Sequence, residues 1–164
     1  MSKQVKFKTN KGDILIELNE EKAPITVANF VKYVEDGHFN STIFHRVIPN
    51  FVIQGGGMQE GMKEKETRAP IAIESQNGLK NLRGSLSMAR TNDPNSATSQ
   101  FFINLVDNAF LDYQGPSQPG YAVFAKVTEG MDVVDEIAKV QTGSHGFHDD
   151  VPKTPIIVES AEFI

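Results

Sequence analysis

Two short runs of strictly alternating side chains constrain the fold of this chain more than any other feature of it. Val5, Phe7 and Thr9 alternate with Lys6, Lys8 and Asn10, and after the turn signal Asn10-Lys11-Gly12-Asp13 the alternation resumes with Ile14, Ile16 and Leu18. Side chains return to one face every two residues only on an extended backbone, so each run predicts a strand with one buried face. The short glycine-containing turn between them makes the pair a β-hairpin. Then the period changes. Val27, Phe30, Val31 and Val34 have the i, i+3, i+4, i+7 spacing of an amphipathic helix, with Pro24 suited to its first turn and Gly37 to its stop.

Strand-and-turn texture returns from Ile43 to Phe124. The predicted strands are Ile43 to Ile48, Phe51 to Gln54, Ser85 to Ala89, Gln100 to Leu105 and Tyr121 to Val127. A second helix is expected after Gly130, with Met131, Val134 and Ala138 on one face and Ile137 beside them, and Ile156 to Phe163 makes a last strand. No repeat, low-complexity tract or linker interrupts the 164 residues, which is the size of one domain. The expectation is a single domain over residues 1-164, mainly β with two helices. Periodicity leaves barrel and sandwich both open.

A net charge of -5 argues against a nucleic-acid surface, which needs a basic field. Lys63, Lys65 and Arg68 form a minor basic spot that reads as a solvated loop. The absence of cysteine removes disulfides, thiol catalysis and thiolate metal sites, and suits a reducing compartment. Met1-Ser2-Lys3 leads straight into the first alternation, and no later apolar stretch is long enough for a secretory core or a membrane span. The expected address is cytoplasmic, with no membrane partner, and nothing indicates more than a monomer.

The usual catalytic motifs are missing: there is no GxSxG elbow, no HExxH and no GxxxxGK[ST] phosphate loop. Gly55-Gly56-Gly57 meets Glu60 where a dinucleotide fingerprint needs glycine, so the triplet reads as a sharp strand exit or a close approach of another backbone. His145, His148, Asp149 and Asp150 make a weak metal pattern without a further ligand and read as loop residues. His38 and His45 are isolated. No metal and no cofactor is expected.

Two segments are informative. Phe44 to Gly57, FHRVIPNFVIQGGG, places one permanent cation, Arg46, in an apolar run. On a strand, Phe44, Arg46 and Ile48 share a face opposite His45 and Val47. Burying a guanidinium unpaired is costly, so Arg46 belongs at a cleft with hydrogen-bonding partners, Gln54 being a natural one. The alternative is an arginine whose stem packs while its head reaches water. Gly84 to Ile103, GSLSMARTNDPNSATSQFFI, ends in adjacent phenylalanines on opposite faces of one strand. Either both are structural, or Phe101 and Phe102 divide between core and surface pocket.

Together these segments resemble the signature segments of the cyclophilins. The likeness extends to the N-terminal hairpin, Asn29-Phe30, Asn81-Leu82-Arg83-Gly84, Val123-Phe124-Ala125-Lys126-Val127 and Gly130-Met131-Asp132-Val133-Val134, covering about Val5 to Phe163. The short form without cysteines is similar to bacterial cytoplasmic members. The resemblance implies a closed eight-stranded antiparallel β-barrel capped by two α-helices, with an active groove on its outer surface. It also implies peptidyl-prolyl cis-trans isomerase activity on proline-containing peptides and on unfolded or folding proteins. Carried over by motif, Arg46 is the catalytic arginine and Gln54 its neighbour. Phe51, Val52, Phe102 and Leu111 form the proline pocket, Ala89, Arg90 and Gln100 line the groove, and Phe110 and Tyr121 complete its wall.

Four positions depart from the best-known eukaryotic pattern: Phe110 replaces tryptophan, Tyr121 histidine, Arg90 asparagine and Val52 methionine. Phe110 lacks the indole N–H donor, so cyclosporin is expected to bind weakly. The competing readings are a non-catalytic proline-peptide or chaperone module using the same groove, and a barrel holding a small ligand inside.

Overall fold

The alternating runs form β1 (Gln4–Thr9) and β2 (Gly12–Leu18), paired antiparallel with Val5 opposite Ile16 and Phe7 opposite Ile14. Val5, Phe7, Thr9, Ile14, Ile16 and Leu18 are all buried, as their period requires. The structure, a computed structural model, describes residues 3–164, so the Met1-Ser2 start of the lead-in lies outside the described residues. Helix α1 (Pro24–Glu35) begins with Pro24 in its first turn and buries Val27, Phe30 and Val34, while Val31 packs at the margin.

The remaining strands are β3 (Thr42–Ile43), β4 (Arg46–Ile48), β5 (Val52–Gly55), β6 (Met58–Gln59), β7 (Lys63–Glu64), β8 (Ser85–Met88), β9 (Phe101–Asn104) and β10 (Val123–Glu129). Helix α2 (Met131–Ala138) follows and buries Val134 and Ile137; β11 (Thr142–His145), β12 (His148–Pro152) and β13 (Ile157–Phe163) complete the chain. Among the described residues eleven strands make one antiparallel sheet in the order β4-β5-β9-β8-β10-β2-β1-β13-β3-β6-β7. β3 and β4 are far apart in that order, yet only Phe44 and His45 separate them in the chain. From Ile43 to Arg46 is three residue steps, which span roughly 11 Å at most. The sheet is therefore strongly curled, bringing distant strands of the ladder together.

Its interior is filled by rings. Phe30 packs against Phe39 at 4.9 Å and Phe124 at 5.1 Å, and Phe7 against Phe101 at 5.6 Å. A fully buried ring contributes about 1.5–3 kcal/mol through the apolar area it removes from water. Rings occupy the space that the interior-ligand reading would need.

Two expectations are corrected and a third is refined. The strand predicted over Ile43 to Ile48 is broken at Phe44-His45. Phe44 is fully buried in the core with Val47, and its N–H bonds Ile156 O at 3.0 Å, so it does not share the outward face of Arg46. The segment around His145 and His148 is a hairpin, β11–β12, with those two histidines paired across its turn. The basic trio is a surface segment as expected, but Lys63 lies in β7 and the others are tied down: Lys65 donates to the carbonyls of His38 and Asn40, both at 2.7 Å, and Arg68 pairs with Asp36. Among the described residues no helix is long and apolar enough to cross a membrane.

The glycine triplet lets the β5–β6 segment turn a corner beside this break. Gly56 has φ 98°, and a Cβ there would lie 2.6 Å from Ser99 O; a Cβ on Gly55 would lie 2.9 Å from Ile43 O. Side chains would separate backbones that touch here.

Candidate active site

Strand pairing sets Arg46 opposite Gln54, and Gln54 opposite Phe102, in one row across β4, β5 and β9. Directly opposed residues share a face of the sheet, here the outer one. Arg46 Nη1 donates to Gln54 Oε1 at 3.2 Å, and Gln54 Nε2 donates to Gln100 Oε1 at 3.0 Å. Because arginine has no acceptor, it dictates which way both amides face. Gln100 has room to lie there because Gly57 has no side chain: a Cβ would come within 2.7 Å of Gln100 Cγ. None of the ion pairs among the described residues includes Arg46, so its charge is not neutralised by a carboxylate.

Beside the guanidinium lies an apolar notch. Val52, Phe102 and Leu111 form a hydrophobic cluster separate from the core, with Phe51, Ala89 and Tyr121 packed around it. The adjacent phenylalanines are divided: Phe101 belongs to the interior and Phe102 to this outer cluster. Arg46, Gln54, Arg90 and the six apolar-cluster residues line a cavity of about 130 Å³. Drug-sized ligand pockets run about 300–1,000 Å³, so this one suits a single small ring. Gln100 and Phe110 stand one step back. Gln100 lies behind Gln54, and Phe110, two-thirds exposed, stacks on Phe51 with centroids 5.7 Å apart.

The far wall is held by the loop before β10. Tyr121 meets Phe102 edge-on at 5.4 Å, and its N–H bonds Leu111 O at 3.0 Å. Gly120 adopts φ 63°, and a Cβ there would lie 2.3 Å from Leu111 O, so a side chain would force this loop off the turn that carries Leu111. Arg90 donates to Gly120 O at 2.8 and 3.1 Å and to Thr91 O at 2.8 Å. Three of its five N–H groups are committed to backbone, against one side-chain bond made by Arg46, so Arg46 is the less committed of the two cations lining this cavity.

His45 is buried, and burial, then the neighbouring His148 and Arg46 charges, push its imidazole down to about 4. It is neutral at pH 7 and adds no second charge. His38 is lowered by burial, and its Nε2 bonds Gly56 O at 3.0 Å, bracing the glycine corner. Among the described residues no three His, Asp or Glu side chains gather as a metal-binding group. Sequence reading passed over Asn104, Asn108 and Asp112, which sit under and beside this wall; the signal was an asparagine ending the apolar strand Phe101–Asn104, with another four residues on.

The arrangement is a fixed fork of charged donors beside a ring-sized apolar notch. It can grip an apolar ring and strengthen its hydrogen bond to an atom that gains electron density.

Comparison with known proteins agrees over nearly the whole length. Residues 4–163 match the family described as cyclophilin type peptidyl-prolyl cis-trans isomerase/CLD. The chain is 58% identical over 158 residues to peptidyl-prolyl cis-trans isomerase B of Escherichia coli (strain K12), covering 95% of this chain and 96% of that one. A crystal structure of a cyclophilin type peptidyl-prolyl cis-trans isomerase from Cryptosporidium parvum superposes with a TM-score of 0.80 at 27% identity, covering 100% of this chain and 98% of the other. The same protein crystallised in the presence of the dipeptide Ala-Pro gives 0.78 at 27% identity, covering 98% of each chain.

Proposed function

The chain belongs to the cyclophilin-type peptidyl-prolyl cis-trans isomerases, and from that premise we propose that it turns X–Pro bonds in the outer groove beside Arg46. The observation that carries the assignment is the row Arg46–Gln54–Phe102, an un-neutralised guanidinium beside a ring-sized notch.

The enzyme catalyses rotation about the amide preceding proline. That amide is planar through resonance, with a barrier of about 18–20 kcal/mol. No bond is made or broken. The site must bind the twisted amide better than either planar form. Phe51, Val52, Phe102 and Leu111 grip the pyrrolidine ring and leave the preceding carbonyl free to swing. Ala89, Arg90 and Gln100 flank the peptide backbone, and Phe110 and Tyr121 close the wall.

Twisting localises the lone pair on the proline nitrogen. Arg46 donates to that nitrogen, or to the proline carbonyl, more strongly as resonance is lost. Gln54, held by Gln100, keeps the guanidinium aimed. A hydrogen bond with a charged partner contributes about 1.5–3 kcal/mol, roughly ten- to a hundred-fold in rate. Gripping the ring binds planar and twisted forms alike, which adds to the rate at sub-saturating peptide.

Exchange NMR on a short Ala-Pro peptide tests this. Arg46→Ala is expected to lose ten-fold or more of the catalysed exchange, as an order-of-magnitude estimate, while the fold is retained. Undiminished exchange in that variant removes Arg46 from the mechanism; no catalysed exchange in the wild-type protein makes the groove a binding module only.

The finer architecture follows the same reading. Taking β3 with β4, and β5 with β6, as two strands bent at Phe44-His45 and at the glycine corner gives eight around the curl: these two, β9, β8, β10, β2, β1 and β13. We read this as a closed eight-stranded antiparallel barrel with a helix at each end, one domain over residues 1-164. Its partners are proline-containing peptides and unfolded or folding proteins, met as a monomer in the cytoplasm. Cyclosporin binds the same groove weakly for want of an indole at Phe110.

A further inference from the structure

Leu111, which walls the proline pocket, is presented by a 3-10 turn of three residues, Ala109–Leu111. So short a turn has little stiffness of its own. What holds it is a run of carboxamides lying beneath the groove. Asn108 Nδ2 donates to Phe51 O at 3.1 Å and to Asn104 Oδ1 at 2.8 Å. Asn104 Nδ2 donates to Asn81 Oδ1 at 3.1 Å. Asn81 in turn gives its backbone N–H and its Nδ2 to Asp112 Oδ1, at 2.7 and 3.0 Å, and its carbonyl accepts from the Asn108 N–H at 2.8 Å. Asn81, Asn104 and Asn108 are 1%, 0% and 4% exposed, so each relies on these partners for its hydrogen bonds.

The run ties the turn bearing Leu111, which belongs to no strand ladder, to the paired strands β5 and β9. One end grips Phe51, at the start of β5; the middle sits on β9, two residues beyond Phe102; the other end clamps both sides of the turn bearing Leu111. Only a carboxamide both donates and accepts in the way Asn81 does here: an aspartate would lose the donor to Asp112, and a leucine would strand buried partners.

We propose that Asn81 and Asn108 are positioning residues of the isomerase, setting Leu111 against Phe102 and Val52 at the spacing of a proline ring. This rests on the groove reading above and deepens it. They touch the walls and never the reacting amide. A displaced wall weakens the grip on planar and twisted forms alike, so their loss appears as weaker peptide binding with the rate at saturation largely preserved. Loss of Arg46 does the reverse.

The test is an exchange-NMR titration with an Ala-Pro peptide, with folded fraction and groove resonances read from the same spectra. Asn108→Ala and Asp112→Ala are each expected to raise Kd about five- to ten-fold, with the saturating exchange rate within about two-fold of wild type. Asp112→Asn keeps the Oδ1 acceptor and is expected to rescue most of that loss. The proposal is overturned by unchanged Kd in both alanine variants, by a lower saturating rate at unchanged Kd, or by Asp112→Asn binding as poorly as Asp112→Ala. Should Asn108→Ala fail to fold, the Asp112 pair, at the partly exposed end of the run, decides alone. If peptide leaves Phe102 and Leu111 unperturbed in the wild-type protein, the groove reading falls and takes this one with it. Perturbed wild type with indistinguishable variants removes the positioning role only.

Discussion

Arg90 lays its guanidinium over the ring of Tyr121, 4.6 Å from the centroid, while two of its N–H groups hold the carbonyl of Gly120. An arginine in this position braces a wall instead of offering charge to a ligand. Arg90→Ala removes both the stack and the carbonyl bonds, and the stack alone is worth about 0.5–1 kcal/mol at an exposed site. The expected outcome is a few-fold loss of peptide affinity, with Arg90→Lys recovering little because lysine has no planar fork. A peptide titration of both variants checks it; full recovery by lysine contradicts the bracing role.

Gln54 faces Arg46 as a neutral acceptor, and its neutrality matters. Gln54→Glu would set a carboxylate 3.2 Å from Arg46 Nη1, where the glutamine oxygen now lies. The resulting ion pair competes with the substrate for the guanidinium, so catalysed exchange at pH 7 should fall by about ten-fold. Gln54→Ala, which leaves Arg46 mobile but unpaired, should fall less. The opposite ranking of the two variants would show that aim matters more than charge.

Phe110 stacks on Phe51 with two-thirds of its surface exposed and carries no polar atom. Phe110→Trp restores an indole N–H at the rim. One added hydrogen bond is worth about 0.5–1.5 kcal/mol, so cyclosporin should bind roughly two- to ten-fold more tightly, with Ala-Pro exchange little changed. Calorimetry decides, and nanomolar binding by the unsubstituted protein would refute the weak-binding expectation itself.

His45 gives the fold an acid sensitivity. Its imidazole titrates near 4 in the folded chain against about 6.5 when unfolded. Between those values the unfolded chain holds more protons, so stability is fully present above about pH 6.5 and declines as pH falls toward 4, by about 3 kcal/mol at most. His45→Leu should flatten that part of the profile. Urea midpoints of both proteins from pH 7 to 4 measure it, and parallel profiles would clear His45 of the effect.

Much of the architecture was legible because burial writes a period into the sequence. β1 and β2 alternate cleanly, and α1 repeats every three to four residues, because each has one wet and one dry face. Periodicity divided Phe101 and Phe102 between faces without saying which way each pointed, and the family resemblance assigned Phe102 to the pocket. The break at Phe44-His45 was hidden, since a strand bent at a corner keeps its apolar residues while exchanging their faces. The β11–β12 hairpin was hidden for the opposite reason: of its strand residues only Pro152 is buried, so no period marks it. The carboxamide run escaped because a buried asparagine in sequence looks like a loop asparagine. Only the partners distinguish them.

Phe101 and Phe102 are neighbours on one strand, one locked in the aromatic interior and the other flooring the groove. A one-residue slip of that strand would turn Phe102 into the interior and bring Phe101 or Ile103 out to the groove floor, so neither face would keep the side chain that fits it. Evolution therefore cannot retune this enzyme by sliding its floor. Phe110, Leu111 and Tyr121 lie outside the strands, around the outer cluster, so their side chains can change without moving that floor.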